Sequence, residues 1–149
     1  MADQTAVGKE FPPFTWEVER GKIREFVQAI GDKNPIYTDK EAAVRAGYKD
    51  SPTPPTFPIV LVMWTNMLWE TFSAAKINFE RALHGEEIYE YYQEIYPNDV
   101  LIGRMKIVGM ETKFGGTGGK MDIIRLEILY TNQRNEPVLK AMTVLVERK

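Results

Sequence analysis

Apolar and polar positions follow two different periods along this chain, helical in its first part and alternating in its last. Ile23, Phe26, Val27 and Ile30 fall at i, i+3, i+4 and i+7, on one face of a helix whose other side carries Lys22, Arg24 and Glu25. Gly31 predicts its stop. Ahead of it, residues 1–13 read as a poorly ordered lead-in, and Phe14-Thr15-Trp16-Glu17-Val18 alternates like a short strand. Asp39 predicts the N-cap of a second helix through Val44, ended by Gly47. Ser51-Pro52-Thr53-Pro54-Pro55 excludes helix, because proline lacks an N–H and restricts the residue before it. A third helix then runs from Pro58 to about Phe72, capped by Thr56 or Phe57. It is apolar on nearly every side, which predicts that other structure wraps it.

From Glu86 onward the pattern turns to period two and to strand formers, at Ile88–Tyr92, Val100–Met110, Met121–Tyr130 and Val138–Val146. Gly115-Gly116-Thr117-Gly118-Gly119 joins the middle pair as a flexible hairpin, and Asn132–Pro137 joins the last pair. An apolar helix followed by antiparallel strands long enough to curl around it predicts an α+β domain. The expected organisation is a single domain over residues 14–149.

Composition narrows the function. Nineteen basic against twenty-one acidic residues, without a long cationic run, give no field for phosphate backbones or anionic membranes. Nucleic acid and membrane are therefore not expected partners. The chain has no cysteine and one histidine, His84, which leaves neither thiolate chemistry nor a histidine cluster for a transition metal. No metal is expected. The first residues lack the basic start and apolar run of a signal peptide, and a cytoplasmic protein is the simplest expectation. Gly115–Lys120 resembles a phosphate loop only superficially, since Met121 stands where Ser or Thr is required and a strand follows.

Candidate chemistry gathers at Gly31-Asp32-Lys33-Asn34-Pro35-Ile36-Tyr37, where a carboxylate and an amide are held on one turn after an amphipathic helix. By residue type alone this is also ordinary turn chemistry. Tyr37 can donate a hydrogen bond from its phenol, or simply pack its ring. The start of the apolar helix, at Thr56 and Phe57, offers unpaired backbone N–H groups. Met63, Trp64, Met67 and Leu68 can line an apolar tunnel or form plain core. His84 lies in Leu83-His84-Gly85-Glu86, where a turn or surface position is the alternative to a substrate contact.

The turn resembles the Gly-Asp-x-Asn-Pro-hydrophobic-His signature of MaoC-like (R)-specific enoyl-thioester hydratases and dehydratases, with Tyr37 in place of the histidine. Ala46-Gly47-Tyr48, Pro54-Pro55-Thr56-Phe57, Leu83-His84-Gly85-Glu86, Asn98-Asp99-Val100-Leu101 and Tyr130-Thr131-Asn132-Gln133 extend the resemblance over nearly the whole chain from Phe14. In order and spacing they are similar to the amino-terminal type of MaoC-like domain, which includes the substrate-holding subunit of heterodimeric (R)-hydroxyacyl dehydratases. The resemblance implies a hot-dog fold and reversible hydration of trans-2-enoyl to (R)-3-hydroxyacyl thioesters. It makes Asp32 the base, Asn34 its positioning partner and Tyr37 a donor. Amides at Thr56 and Phe57 would hold the thioester carbonyl, and Trp64 and His84 would contact substrate. No cofactor is implied beyond coenzyme A or acyl carrier protein as the substrate's carrier. The implied partner is a second copy, in a dimer or higher oligomer, or a separate MaoC-like subunit bearing the intact Asp/His pair. A thioester-binding module without chemistry is the further alternative.

Overall fold

In the computed structural model, residues 2–115 and 119–148 are described. Strand β1 (Phe14–Glu17) leads into helix α1 (Arg20–Ile30), and a 3-10 turn at Pro35–Tyr37 precedes α2 (Lys40–Arg45). Two further helices, α3 (Pro58–Trp64) and α4 (Met67–Ala74), come before β2 (Ala82–Tyr91), β3 (Val100–Phe114), β4 (Lys120–Asn132) and β5 (Pro137–Arg148). The strands form one antiparallel sheet in the order β1-β3-β4-β5-β2, which leaves β1 and β2 at its edges. This is the α+β arrangement expected from the two periods.

Local chemistry explains most element ends. Gly31 sits in the left-handed region at φ 71°, where its N–H reaches back to the Gln28 and Val27 carbonyls and stops α1. Asp39 caps α2 by accepting the Glu41 and Ala42 N–H groups. Ile23 and Val27 are buried as the helical period requires, whereas Ile30, at the end of the same stripe, is exposed. Phe26 meets Phe57 edge-on at 5.6 Å, which fastens α1 to the start of α3.

The long apolar helix is in fact two. Thr65 takes an extended conformation (φ −94°, ψ 155°) and its hydroxyl donates to the Val62 carbonyl, so the chain breaks between Trp64 and Met67. Leu61, Met67, Thr71 and Phe72 point into one core with Met105, Ile107, Ile124, Leu126 and Ile128 of the sheet. The enclosure expected for this segment holds for that face only. Trp64 is 64% exposed, and Met63 and Trp69 are exposed beside it. Among the described residues, no helix is long and apolar enough to cross a membrane.

Residues 2–13 are not a loose lead-in. Asp3 donates its N–H to Ala75, Gly8 to Ile107 and Phe11 to Met105, and Ile107 returns its N–H to Lys9. Ala2, Ala6 and Phe11 are buried. The segment continues the line of β1 along β3 and closes the end of α4, contacts between residues about seventy to a hundred positions apart that periodicity cannot reveal. The strands also begin earlier and run longer than the alternation suggests, β2 from Ala82 and β3 to Phe114. The β3–β4 hairpin closes with Gly115 N–H on Gly119 C=O, while residues 116–118 of its expected glycine loop lie outside the described residues.

Candidate functional site

Two regions hold the candidate residues. The first is the turn after α1. Asp32 Oδ1 accepts the Asn34 N–H at 2.8 Å, and Asn34 Oδ1 accepts the Ile36 N–H at 3.2 Å to cap the 3-10 turn that ends in Tyr37. The two side chains named as base and positioning partner thus hold the backbone of the turn, and both are exposed. Tyr37 is half-buried. Burial first, then the Asp32 charge, the Tyr48 phenol and Glu94, push its phenol above the ordinary range. Tyr37 therefore stays protonated near neutrality and can donate a hydrogen bond, but it is a poor proton shuttle.

Across the turn stands Tyr91, at the end of β2, whose hydroxyl donates to the Pro55 carbonyl at 2.8 Å. Burial, followed by Glu94 and Tyr37, raises its phenol as well. Tyr91 and Glu94 are members of this cluster that the motif does not name. The signal available for Tyr91 was the alternation of β2, which puts Tyr89 and Tyr91 on one face. The Tyr91 bond also anchors Pro55 immediately before Thr56. Of the two amides expected to be free there, Phe57 N–H is already donated to Pro54 C=O at 2.9 Å. Proline supplies no N–H at the next position, and Ile59 and Val60 donate to Thr56 and Phe57. Thr56 N–H alone is left without a partner among the described residues in this turn, so any carbonyl-binding role rests on it and not on Phe57.

The second region is an apolar cavity of about 300 Å³ between α3, α4 and the β2–β5 edge. Val62, Met63, Leu68 and Phe72 form its helical wall, Leu145 and Thr143 its sheet wall, and His84 stands on its rim. Phe72, Phe79 and Trp69 stack against one another at 4.7–6.0 Å beside it. Met63 and Leu68 thus line a cavity, but Met67 is core. Trp64 turns elsewhere, edge-on to Trp16 at 6.3 Å with Lys22 Nζ 4.0 Å from its ring centre.

His84 Nε2 lies 3.0 Å from Glu87 Oε2, and the other oxygen of Glu87 accepts the Thr143 hydroxyl at 3.1 Å. Residues three apart in a regular strand face opposite ways. Here β2 carries a bulge between His84 and Glu86: His84 pairs with Leu145, Glu86 with Val144 and Glu87 with Thr143. One extra residue, Gly85, thereby brings imidazole and carboxylate to the same face. A Cβ at Gly85 would come within 3.1 Å of the Val144 carbonyl and of Val146 Cγ2, so a larger residue at the bulge would push β5 aside by a few tenths of an ångström. His84 and the Asp32 turn are not brought together. His84 and Tyr91 are seven positions apart along β2, about 20 Å of strand.

The remaining motif residues build a corner. Asn98, at φ 69°, and Asp99 exchange backbone bonds with Val18, and Asp99 and Leu101 border a small polar cleft with Asn132 and Gln133.

With this geometry in hand, the kinship of the chain is readable. Residues 5–141 match the family described as the FAS1-like, dehydratase domain region. A UPF0336 protein of Saccharopolyspora erythraea is 35% identical over 147 residues, 98% of this chain and 91% of that protein. Among solved structures, a chain of the C-terminally truncated HadBC (3R-hydroxyacyl-ACP dehydratase) complex of Mycobacterium tuberculosis superposes with TM-score 0.80 at 25% identity, covering 95% of this chain and 96% of that one. A MaoC-like dehydratase superposes with TM-score 0.81 at 24% identity and shares the fold, with this chain spanning 42% of its length. A five-stranded antiparallel sheet over paired apolar helices, matched by sequence across nearly its whole length, makes this chain a member of the FAS1-like dehydratase-region family, a MaoC-like dehydratase domain with the hot-dog fold.

Proposed function

We propose that this protein takes part in the reversible, (R)-specific hydration of trans-2-enoyl thioesters to 3-hydroxyacyl thioesters, with the acyl tail in the cavity between α3, α4 and β5. The thioester's carrier is coenzyme A or acyl carrier protein. The observation that carries the reading is that cavity: walled by aliphatic and aromatic side chains, open at one rim, and set in a dehydratase-type fold. An apolar tail gains about 0.8 kcal/mol per buried methylene in such a place. The working unit is a pair of hot-dog domains. Support comes from the open edge of β2, with Leu83 and Ile88 exposed along it, and from Met63, Trp64 and Trp69 exposed on the adjoining helices. It comes also from a relative whose structure is a complex and another whose chain is more than twice as long.

A second reading has its own observation. Tyr37 occupies the position of the family's histidine and Asp32 is exposed with one oxygen committed to the turn, which fits an acyl-holding subunit whose partner supplies the acid/base pair. The test is to assay hydration of crotonyl and octenoyl thioesters with chiral analysis of the product, using the purified protein alone and with a second MaoC-like unit carrying Gly-Asp-x-Asn-Pro-x-His. Formation of the (R)-alcohol in either arm supports the function, and the arm that forms it separates the two readings. An inert protein in both arms would sink it.

A further inference from the structure

The geometry points to His84, held by Glu87, as the proton-handling group of a hydration centre belonging to this chain and separate from the Asp32 turn. The inference rests on the proposed function. It locates the imidazole that the turn lacks, since the chain has one histidine in all.

Three features set this pair apart from an ordinary surface ion pair, which would contribute little and need no particular surroundings. Glu87 is largely covered, its side chain 13% exposed, and it is held from the other side by the hydroxyl of Thr143, a buried residue of the cavity wall. An ionised carboxylate only accepts, so Nε2–H of His84 donates to it, and in the neutral ring Nδ1 is left with a lone pair. Nδ1 has no partner among the described residues. Finally, His84 lines the apolar cavity while its side chain stays half-exposed, which puts it where the cavity meets solvent. A tail lying in the cavity brings the carbons next to its polar head to that rim. The bulge at Gly85 is what creates the arrangement, because a regular strand would turn Glu87 away from His84.

The step balances without a cofactor. Nδ1 takes a proton from water as the water oxygen bonds to C3 of the enoyl chain, and the C2=C3 π pair moves toward the thioester carbonyl as an enolate. The imidazolium then returns that proton to C2, restoring the thioester and the neutral ring. His84 is the catalytic residue, and Glu87 is a positioning residue that holds the ring's tautomer and orientation through its contact with Nε2.

The experiment compares wild type, His84→Gln, His84→Ala and Glu87→Gln on enoyl thioesters of coenzyme A, each confirmed folded by thermal melting, with and without the second MaoC-like unit. The expected result is activity of the protein alone. Its kcat should fall about 10²–10⁴-fold in both His84 variants and at least about tenfold in Glu87→Gln, with KM held within about threefold in all of them. Undiminished kcat in folded His84→Gln overturns the assignment, as does a loss confined to KM. Hydration seen only with the second unit also overturns it while leaving the proposed function standing, whereas no hydration in either arm removes both.

Discussion

Tail length is the most direct perturbation of the cavity. Its volume of about 300 Å³, at roughly 30 Å³ per water-sized group, accommodates about ten methylene-sized groups. Each methylene buried there contributes about 0.8 kcal/mol, a factor of about 4 in affinity. Between four and ten carbons the dissociation constant of saturated acyl thioesters should therefore fall by about 4 × 10³-fold, and it should level off beyond about ten. Leu83 lines the cavity from the exposed strand β2, where a larger side chain needs no rearrangement of the core. Leu83→Trp occupies about two methylenes of that room and should bring the plateau down to about eight carbons while leaving short chains unaffected. Isothermal titration of coenzyme A thioesters from two to sixteen carbons, which carry no double bond and do not react, reads both effects. Affinity independent of length, or still climbing at sixteen carbons, refutes the assignment of the cavity to the tail. A plateau indifferent to Leu83→Trp refutes the choice of wall.

Leu61 is fully buried under the sheet, so Leu61→Ala should cost about 2–5 kcal/mol in chemical denaturation; a loss under 1 kcal/mol would mean that α3 is not seated as described. Arg20 grips both oxygens of Asp50 at 3.0 and 2.8 Å and holds its pKa down to about 2. That contribution is complete above the unfolded pKa of about 3.9 and fades as pH falls toward 2, so Asp50→Asn should lose about 1 kcal/mol at pH 7 and progressively less below pH 4. Tyr37→His puts an imidazole beside Asp32, away from His84, and separates the two centres: with hydration carried by His84 the steady-state rate of the folded variant stays at the wild-type level, whereas a rise would make the Asp32 turn a working centre. Light scattering at micromolar concentration should report a dimer or larger, and the monomer mass of 17.1 kDa would contradict the pairing of hot-dog units.

What the sequence by itself determined is what backbone period and local side-chain chemistry control. The stripe from Ile23 to Val27, the left-handed stop at Gly31 and the Asp39 cap all depend on residues within one or two turns of each other. So do the strand alternation within Val100–Met110, Met121–Tyr130 and Val138–Val146 and the hairpin at Asn132–Pro137, where Asn132 Oδ1 takes the Arg134 and Glu136 N–H groups. The substitution of Tyr37 for a histidine was equally plain, because motif spacing is a property of sequence.

Tertiary structure decided what depends on register and on distant partners. Trp64 and Leu68 looked equivalent along an apolar run, but the break at Thr65–Asn66 sends one toward Trp16 and Lys22 and the other to the cavity. Phe57 N–H looked free until the turn from Pro54 claimed it. Residues 1–13 read as a poorly ordered lead-in, yet the backbone of residues 2–13 finds the unpaired edge of β3. His84 and Glu87, three apart, belong on opposite faces of any regular strand. Only pairing with β5, which advances one residue while β2 advances two through Gly85, sets them side by side. A bulge is a mismatch between two strands, and no one segment of the chain contains it.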